Sequence, residues 1–287
     1  MFIDAHLHAG EYLRHYPEDF AVQMMGSVGQ AAATITTHIP SILAEMDQVG
    51  VAKAFLLAFD AQRTLGVKVP NSYVAEICQA YPDRFIGFCS VDAGTPGAAE
   101  AIYQSATILG LRGVKIAPAY VNLSPADRCW YETYKVAETL GLPILVHTGF
   151  TPARQASPRY FPPMLMSQVA QEFPQVRFIL AHLGTPWVKQ CLDLLVKYPN
   201  LYADISIFGW HQPVEVLAQT LASARKQGVI DRLLWGTDYP WGPITAYAQR
   251  MHLLKQDSSL FPDGQALTEQ EWHQLTGATA LSLLAPT

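Results

Sequence analysis

Eight short apolar segments, each followed by an amphipathic helical stretch, recur along this 287-residue chain, and that alternation constrains its fold more than any other feature. The segments lie at 2–7, 51–58, 84–91, 112–117, 143–147, 176–182, 201–205 and 232–236. Helical stretches at 40–49, 71–81, 97–109, 126–140, 162–173, 186–197 and 213–227 separate them, and two more, at 243–255 and 268–284, end the chain. Gly50 and Gly141, the latter with Pro143 just beyond, supply helix stops. Near-continuous apolar runs, rather than alternating ones, belong to strands covered on both faces, which means a parallel sheet with helical crossovers. Eight such units predict a single-domain α/β protein, a (β/α)8 TIM barrel over 1–287. A doubly wound open sheet is the structural rival. With 50% hydrophobic and only 15% charged residues, the chain has the matter for a large core, which excludes disorder.

Residues 9–39 are too long for an ordinary connection after the first strand. Loops that follow barrel strands lie on the catalytic face, so this stretch reads as a lid or pocket wall, with a short helix around 17–26. Residues 256–287 read as a C-terminal helical segment. A net charge of −5 without any Lys/Arg run argues against a nucleic-acid partner. No apolar run approaches the roughly 20 residues of a membrane span, so no membrane partner is expected. Cys78, Cys89, Cys129 and Cys191 are scattered without a C-x-x-C pair, which fits reduced thiols and a cytoplasmic location. The chain opens directly in its first strand, so no signal peptide is expected.

The chemistry is concentrated at segment ends. In "DAHLH" the strand alternation puts His6 and His8 on one face with Phe2 and Asp4, and Ile3, Ala5 and Leu7 on the other. His147 closes the fifth segment, His182 the sixth, and Asp238 lies just past the eighth. Any one of these histidines alone is unremarkable, and His15, His38, His211, His252 and His273 read as ordinary loop or core residues. In a barrel, however, all five strand-end positions share one rim. Imidazoles with one carboxylate suit a divalent ion, Zn²⁺ first, with Mn²⁺, Fe²⁺ and Co²⁺ also compatible. Asp4, one layer below, reads as a residue that orients buried groups.

The ordered strings "DAHLH", "GVKIAP", "PILVHTG", "FILAHLG" and "LLWGTDYPW" resemble the amidohydrolase superfamily over nearly the whole chain. The likeness is to its amidohydrolase-2 branch, which includes aminocarboxymuconate-semialdehyde decarboxylase-like enzymes. The resemblance implies a (β/α)8 barrel with a single divalent metal, usually zinc. It also implies His6, His8, His147 and Asp238 as ligands and His182 as an acid/base beside the metal. Two departures stand out: Ala117 occupies a position where many relatives carry histidine, and Gly277–Ser282 has drifted from a Gly-Asn-Ala-x-Arg-Leu pattern. A homodimer would be compatible with the family.

The resemblance gives Lys115 three readings: a carboxylated bridge between two metals as in other branches, a cation for a substrate carboxylate or phosphate, or a structural ion pair. The single-metal branch disfavours the first. Arg154, Arg159, Tyr120, Trp210, His211 and Trp241, all in post-strand loops, are candidate substrate contacts, with Trp241 foremost because it follows Asp238 closely. The leading expectation is metal-assisted hydrolysis of an amide, lactone or ester in a small carboxylate-bearing molecule. Asp238 would shuttle the proton, and His182 would act on the carbonyl. Non-oxidative decarboxylation is the alternative from the same ligands. A TatD-type nuclease is disfavoured because Lys115 stands where a metal-binding carboxylate is needed, and a non-catalytic barrel is disfavoured by the undamaged ligand set.

Overall fold

The computed structural model describes residues 1–36 and 38–284, so Thr37 within the expected lid and the last three residues of the C-terminal segment lie outside the described residues. Among the described residues, ten strands occur: β1 (Phe2–His8), β2 (Val51–Leu57), β3 (Phe59–Ala61), β4 (Val67–Val69), β5 (Phe85–Ser90), β6 (Gly113–Ile116), β7 (Ile144–Val146), β8 (Phe178–Leu180), β9 (Leu201–Asp204) and β10 (Leu233–Leu234). Eight pair in parallel in the order β1-β2-β5-β6-β7-β8-β9-β10. Backbone bonds close the ring: Ala5 N–H donates to Trp235 O at 3.0 Å and His8 N–H to Tyr239 O at 2.8 Å. Helices follow each strand, among them Ile39–Gln48, Asn71–Ala80, Ala98–Thr107, Tyr131–Leu140, Met166–Glu172, Val188–Lys197, Val214–Lys226 and Ile244–Gln256. The chain is a single-domain (β/α)8 barrel. No helix among the described residues is long and apolar enough to cross a membrane.

Side chains on each strand sort by parity. Ala54, Leu56, Val114, Ile116, Ile144, Val146, Phe178 and Leu180 join the large cluster between sheet and helices. Their neighbours Phe55, Leu57, Phe88, Leu145, Ile179 and Leu234 form a separate cluster inside the ring, with Ile3 and Ala5. Ala280 and Leu283 of the C-terminal segment join this inner cluster and plug the floor. Gly113 makes room there, since a Cβ at that position would meet the Phe88 ring at 2.3 Å.

Four local expectations need correction. The antiparallel β3–β4 hairpin, with a short helix Gln62–Leu65 at its tip, was not legible because its strands are only three residues long. The apolar runs at 176–182 and 232–236 overstate the strands, because the backbone leaves the ladder early to form the turns that carry the polar residues. The final helix is broken by a π-helical turn, Gln274–Ala278, where Gly277 lies against the Met1 carbonyl. Finally, strict alternation fails in β1. The pairing with β2 slips between Asp4 and Leu7, so Ala5 faces the inner cluster while His6 and His8 still face the mouth. In the expected insertion, the helix Glu18–Ser27 matches the reading at 17–26.

Candidate metal centre

The slip in β1 is held by Asp4 and permitted by a glycine. Asp4 Oδ1 accepts the N–H of His6 at 3.0 Å and of Thr237 at 2.9 Å, and Oδ2 accepts the Thr237 hydroxyl at 2.5 Å. A Cβ at Gly236 would meet His6 Cβ at 2.9 Å and His6 N at 3.0 Å, so only glycine lets this neighbour come so close. Burial raises the Asp4 carboxyl to about 6, against the hydrogen bonds from Thr237 and His6 that lower it. Asp4 therefore ties the His6 backbone to the turn at Thr237.

Three donor atoms converge at the mouth. His6 Nε2 lies 3.0 Å from Asp238 Oδ1, His8 Nε2 lies 3.2 Å from the same oxygen, and the two Nε2 atoms are 3.2 Å apart. A single proton cannot serve all three contacts, whereas a divalent cation accepts all three lone pairs at once. His8 Nδ1 and His147 Nε2 are buried without a partner among the described residues. These residues fit a metal ion. His147 stands to one side, with Nδ1 3.3 Å from His182 Nε2, and belongs to neither compact set of metal-capable groups.

The electrostatics agree with a cation site. Burial pushes His8 down to about 3 and His182 down to about 4, and holds His147 well below its ordinary value, so three imidazoles are neutral and offer lone pairs. His6 is the exception: burial and the Lys115 ammonium lower it, yet Asp238 and Asp204 together hold it above its usual value. Burial would raise Asp238, but His6 and His8 keep its carboxyl well below the usual range. Asp238, His182, Leu183 and Ile207 all take φ between +50 and +61, a region costing roughly 1–3 kcal/mol for a non-glycine residue and concentrated at functional sites.

Behind the donors lies a group that sequence reasoning missed. Asp204 Oδ2 accepts from His6 Nδ1 at 2.9 Å, and Oδ1 accepts the N–H groups of His182 and Ser206, both at 3.0 Å. The Ser206 hydroxyl donates to Asp204 and so accepts Nδ1–H of His182, 2.8 Å away. That leaves Nε2 as the His182 ring nitrogen turned toward His147. His6, His182 and Asp204 form the second compact set of metal-capable groups. The missed signal was "YADIS": an acid closing an apolar strand, the rule that found His147 and His182.

Lys115 Nζ, fully buried, sits 3.1 Å from His6 Nε2, and burial lowers it to about 8 against the pull of Asp238 and Asp204. Lys115, His8, His147, His182, Asp238 and Trp241 line one cavity of about 290 Å³. Tyr120 and His211 line it too, with the Tyr120 hydroxyl 2.5 Å from Thr151 Oγ1. Arg154 and Arg159 are exposed and outside the lining. Trp210 is also outside, under the Arg250 guanidinium at 5.0 Å.

A family model described as Amidohydrolase matches residues 3–285. No curated protein sequence matches. Among solved structures, an uncharacterized TIM-barrel protein from Bordetella bronchiseptica superposes with a TM-score of 0.80 at 23% identity, covering 99% of this chain and 98% of that one. 5-Carboxyvanillate decarboxylase from Sphingomonas paucimobilis superposes with a TM-score of 0.67 at 18% identity, over 100% and 99% of the two chains. A probable 2-pyrone-4,6-dicarboxylic acid hydrolase from Acinetobacter baumannii gives 0.67 at 18%, over 99% and 98%. At these identities the likenesses speak to the fold. The family match over nearly every residue says more: the chain belongs to the amidohydrolase family, in its amidohydrolase-2 branch, whose members are metal-dependent enzymes that work as hydrolases or decarboxylases.

Proposed function

We propose that this chain is a metal-dependent hydrolase that cleaves an amide, lactone or ester bond in a small carboxylate-bearing molecule, with Zn²⁺ as its ion. The observation that carries this reading is the convergence of His6 Nε2, His8 Nε2 and Asp238 Oδ1 within 3.2 Å of one another, with His8 and Asp238 lining the cavity. His147, whose Nε2 is buried without a partner among the described residues, would complete the ligand set. A bound divalent cation would polarise a carbonyl and bring the pKa of a water towards neutrality. Asp238, held ionised by its imidazole neighbours, takes the proton of the attacking water and passes it to the leaving group. His182, fixed through Nδ1 by Ser206, acts on the substrate through Nε2. Lys115, at the base of the cavity, anchors the substrate carboxylate. The four cysteines are all free, which supports the cytoplasm as the working compartment.

Decarboxylation is the second reading, favoured by the apolar walls of the cavity, because a carboxylate stripped of water there parts more readily with CO₂. His182 would then deliver a proton from Nε2 to the carbon that CO₂ leaves. The test begins with metal content. Zinc-reconstituted protein is expected to hold one ion per chain, and a chain that held neither zinc nor manganese, iron or cobalt would sink both readings. Lactones and amides followed by proton release, against carboxylic acids followed by CO₂ release, then separate the two chemistries.

A further inference from the structure

The cavity carries positive charge at one end only. Lys115 lies at its base, 3.1 Å from His6 Nε2, where a bound cation would add to the charge. Above it stands a continuous aromatic wall: the Phe59 and Tyr120 rings are 5.3 Å apart, Phe20 and Tyr120 6.2 Å, and Phe20 and Phe59 6.3 Å. The wall runs down to the metal donors, with Tyr120 4.7 Å from the His147 ring, Phe59 5.7 Å from His8, and Trp241 5.1 Å from His8. Among the described residues, Lys115 is the one lysine or arginine in the lining. The Tyr120 hydroxyl is already bonded to Thr151, and the buried Trp241 Nε1 has no partner among the described residues.

Building on the metal-dependent reading above, we propose that the site selects a flat monoacid and rejects diacids of the same size. The single acidic group sits at the base, against Lys115. The planar body lies along the Phe20–Phe59–Tyr120 wall, next to the groups that would react with it. A second carboxylate on such a body would be desolvated among rings with no cation to meet it, and an unpaired buried charge is strongly disfavoured. The volume of about 290 Å³ is near the lower end of the range for small-molecule sites, roughly 300–1,000 Å³, which suits one ring with few substituents.

Benzoate and isophthalate differ by one carboxylate and make the minimal pair of probes. In calorimetric titrations of the zinc-loaded full chain, benzoate is expected to bind at least about tenfold more tightly than isophthalate. Phe150 lines the cavity yet is 64% exposed, so Phe150→Arg places a cation at the rim with little risk to the core. That variant is expected to tighten isophthalate by about fivefold or more while leaving benzoate within about twofold. Isophthalate binding as tightly as benzoate to the unmodified chain would overturn the proposal, as would benzoate failing to bind zinc-loaded protein. A chain that takes up neither zinc nor manganese, iron or cobalt would instead overturn the metal-dependent reading beneath it.

Discussion

The two ends of the barrel interior are built by the same strands and differ by one pleat. On β6 the inward residues are Gly113, under the Phe88 ring, and then Lys115; on β7 the inward residue is Leu145, followed just past the strand by His147; on β9 they are Tyr202 and then Asp204. Below this line the interior is apolar and plugged by Ala280 and Leu283. Above it, buried imidazoles, carboxylates and an amine face one another, with pKa values displaced by burial and by one another's charges. The lower half gains stability from apolar area removed from water, while the upper half holds charges that water would otherwise solvate. The division predicts that substitutions above the line change chemistry and those below it change stability.

The largest effect should come from above. Asp238→Asn keeps the shape of the side chain but removes its base, and turnover of whichever substrate the screen identifies is expected to fall by about 10³-fold or more. Circular dichroism should be unchanged, and comparable turnover in the variant would sink the proton route. Below the line, Phe88→Ala empties space between Phe55, whose ring stacks at 4.7 Å, and Gly113. Denaturant unfolding should show a loss of about 3–5 kcal/mol, with one metal per chain retained. If the metal left with the ring, the two ends would not be separable.

How much of this was readable in advance follows the same line. The eight strands and their order show in the letters because core strands must be apolar on both faces, and His147 and Asp238 show because polar residues at strand ends break that pattern. The facing of β1 did not show. Alternation puts Asp4 beside His6, but the register slip turns Asp4 onto Thr237 instead, a tertiary effect that depends on Gly236 more than 200 residues away. The exposure of Arg154 and Arg159 was equally hidden, because both lie in an irregular loop with no periodicity to assign a face. Asp204 closes β9 and obeys the same strand-end rule as His147 and His182.

Asp204 offers the next sharpening, because it lies at the boundary and touches two imidazoles. Asp204→Asn keeps an acceptor for the backbone bonds of His182 and Ser206 but loses the charge that orients His6 through Nδ1. Removing such a partner behind a ligand typically lowers metal affinity by about 10–100-fold. Competition with a chromophoric chelator measures that directly. Affinity equal to that of the unmodified chain would make Asp204 a purely structural group and move the functional boundary up by one residue.

The smallest effect tests how the floor is closed. Arg225 bonds Glu271 and Asp263 and the carbonyls of Gln265 and Ala266, fixing the helix Glu269–His273 that precedes the plug. Burial would raise Glu271, but the bonds from Arg225 and Thr268 win and hold its carboxyl below the ordinary value. A carboxyl depressed in the folded state stabilises fully above its unfolded pKa, about 4.3, and loses that contribution as pH falls through its lower folded value. Near neutral pH, Glu271→Gln should therefore cost about 1 kcal/mol, or about 2 °C in Tm. In acid, once the carboxyl is protonated in both states, the gap between the variant and the unmodified chain should close. A gap that persisted undiminished at pH 3 would mean that the side chain holds the floor by shape and packing, and that charge matters only at the mouth.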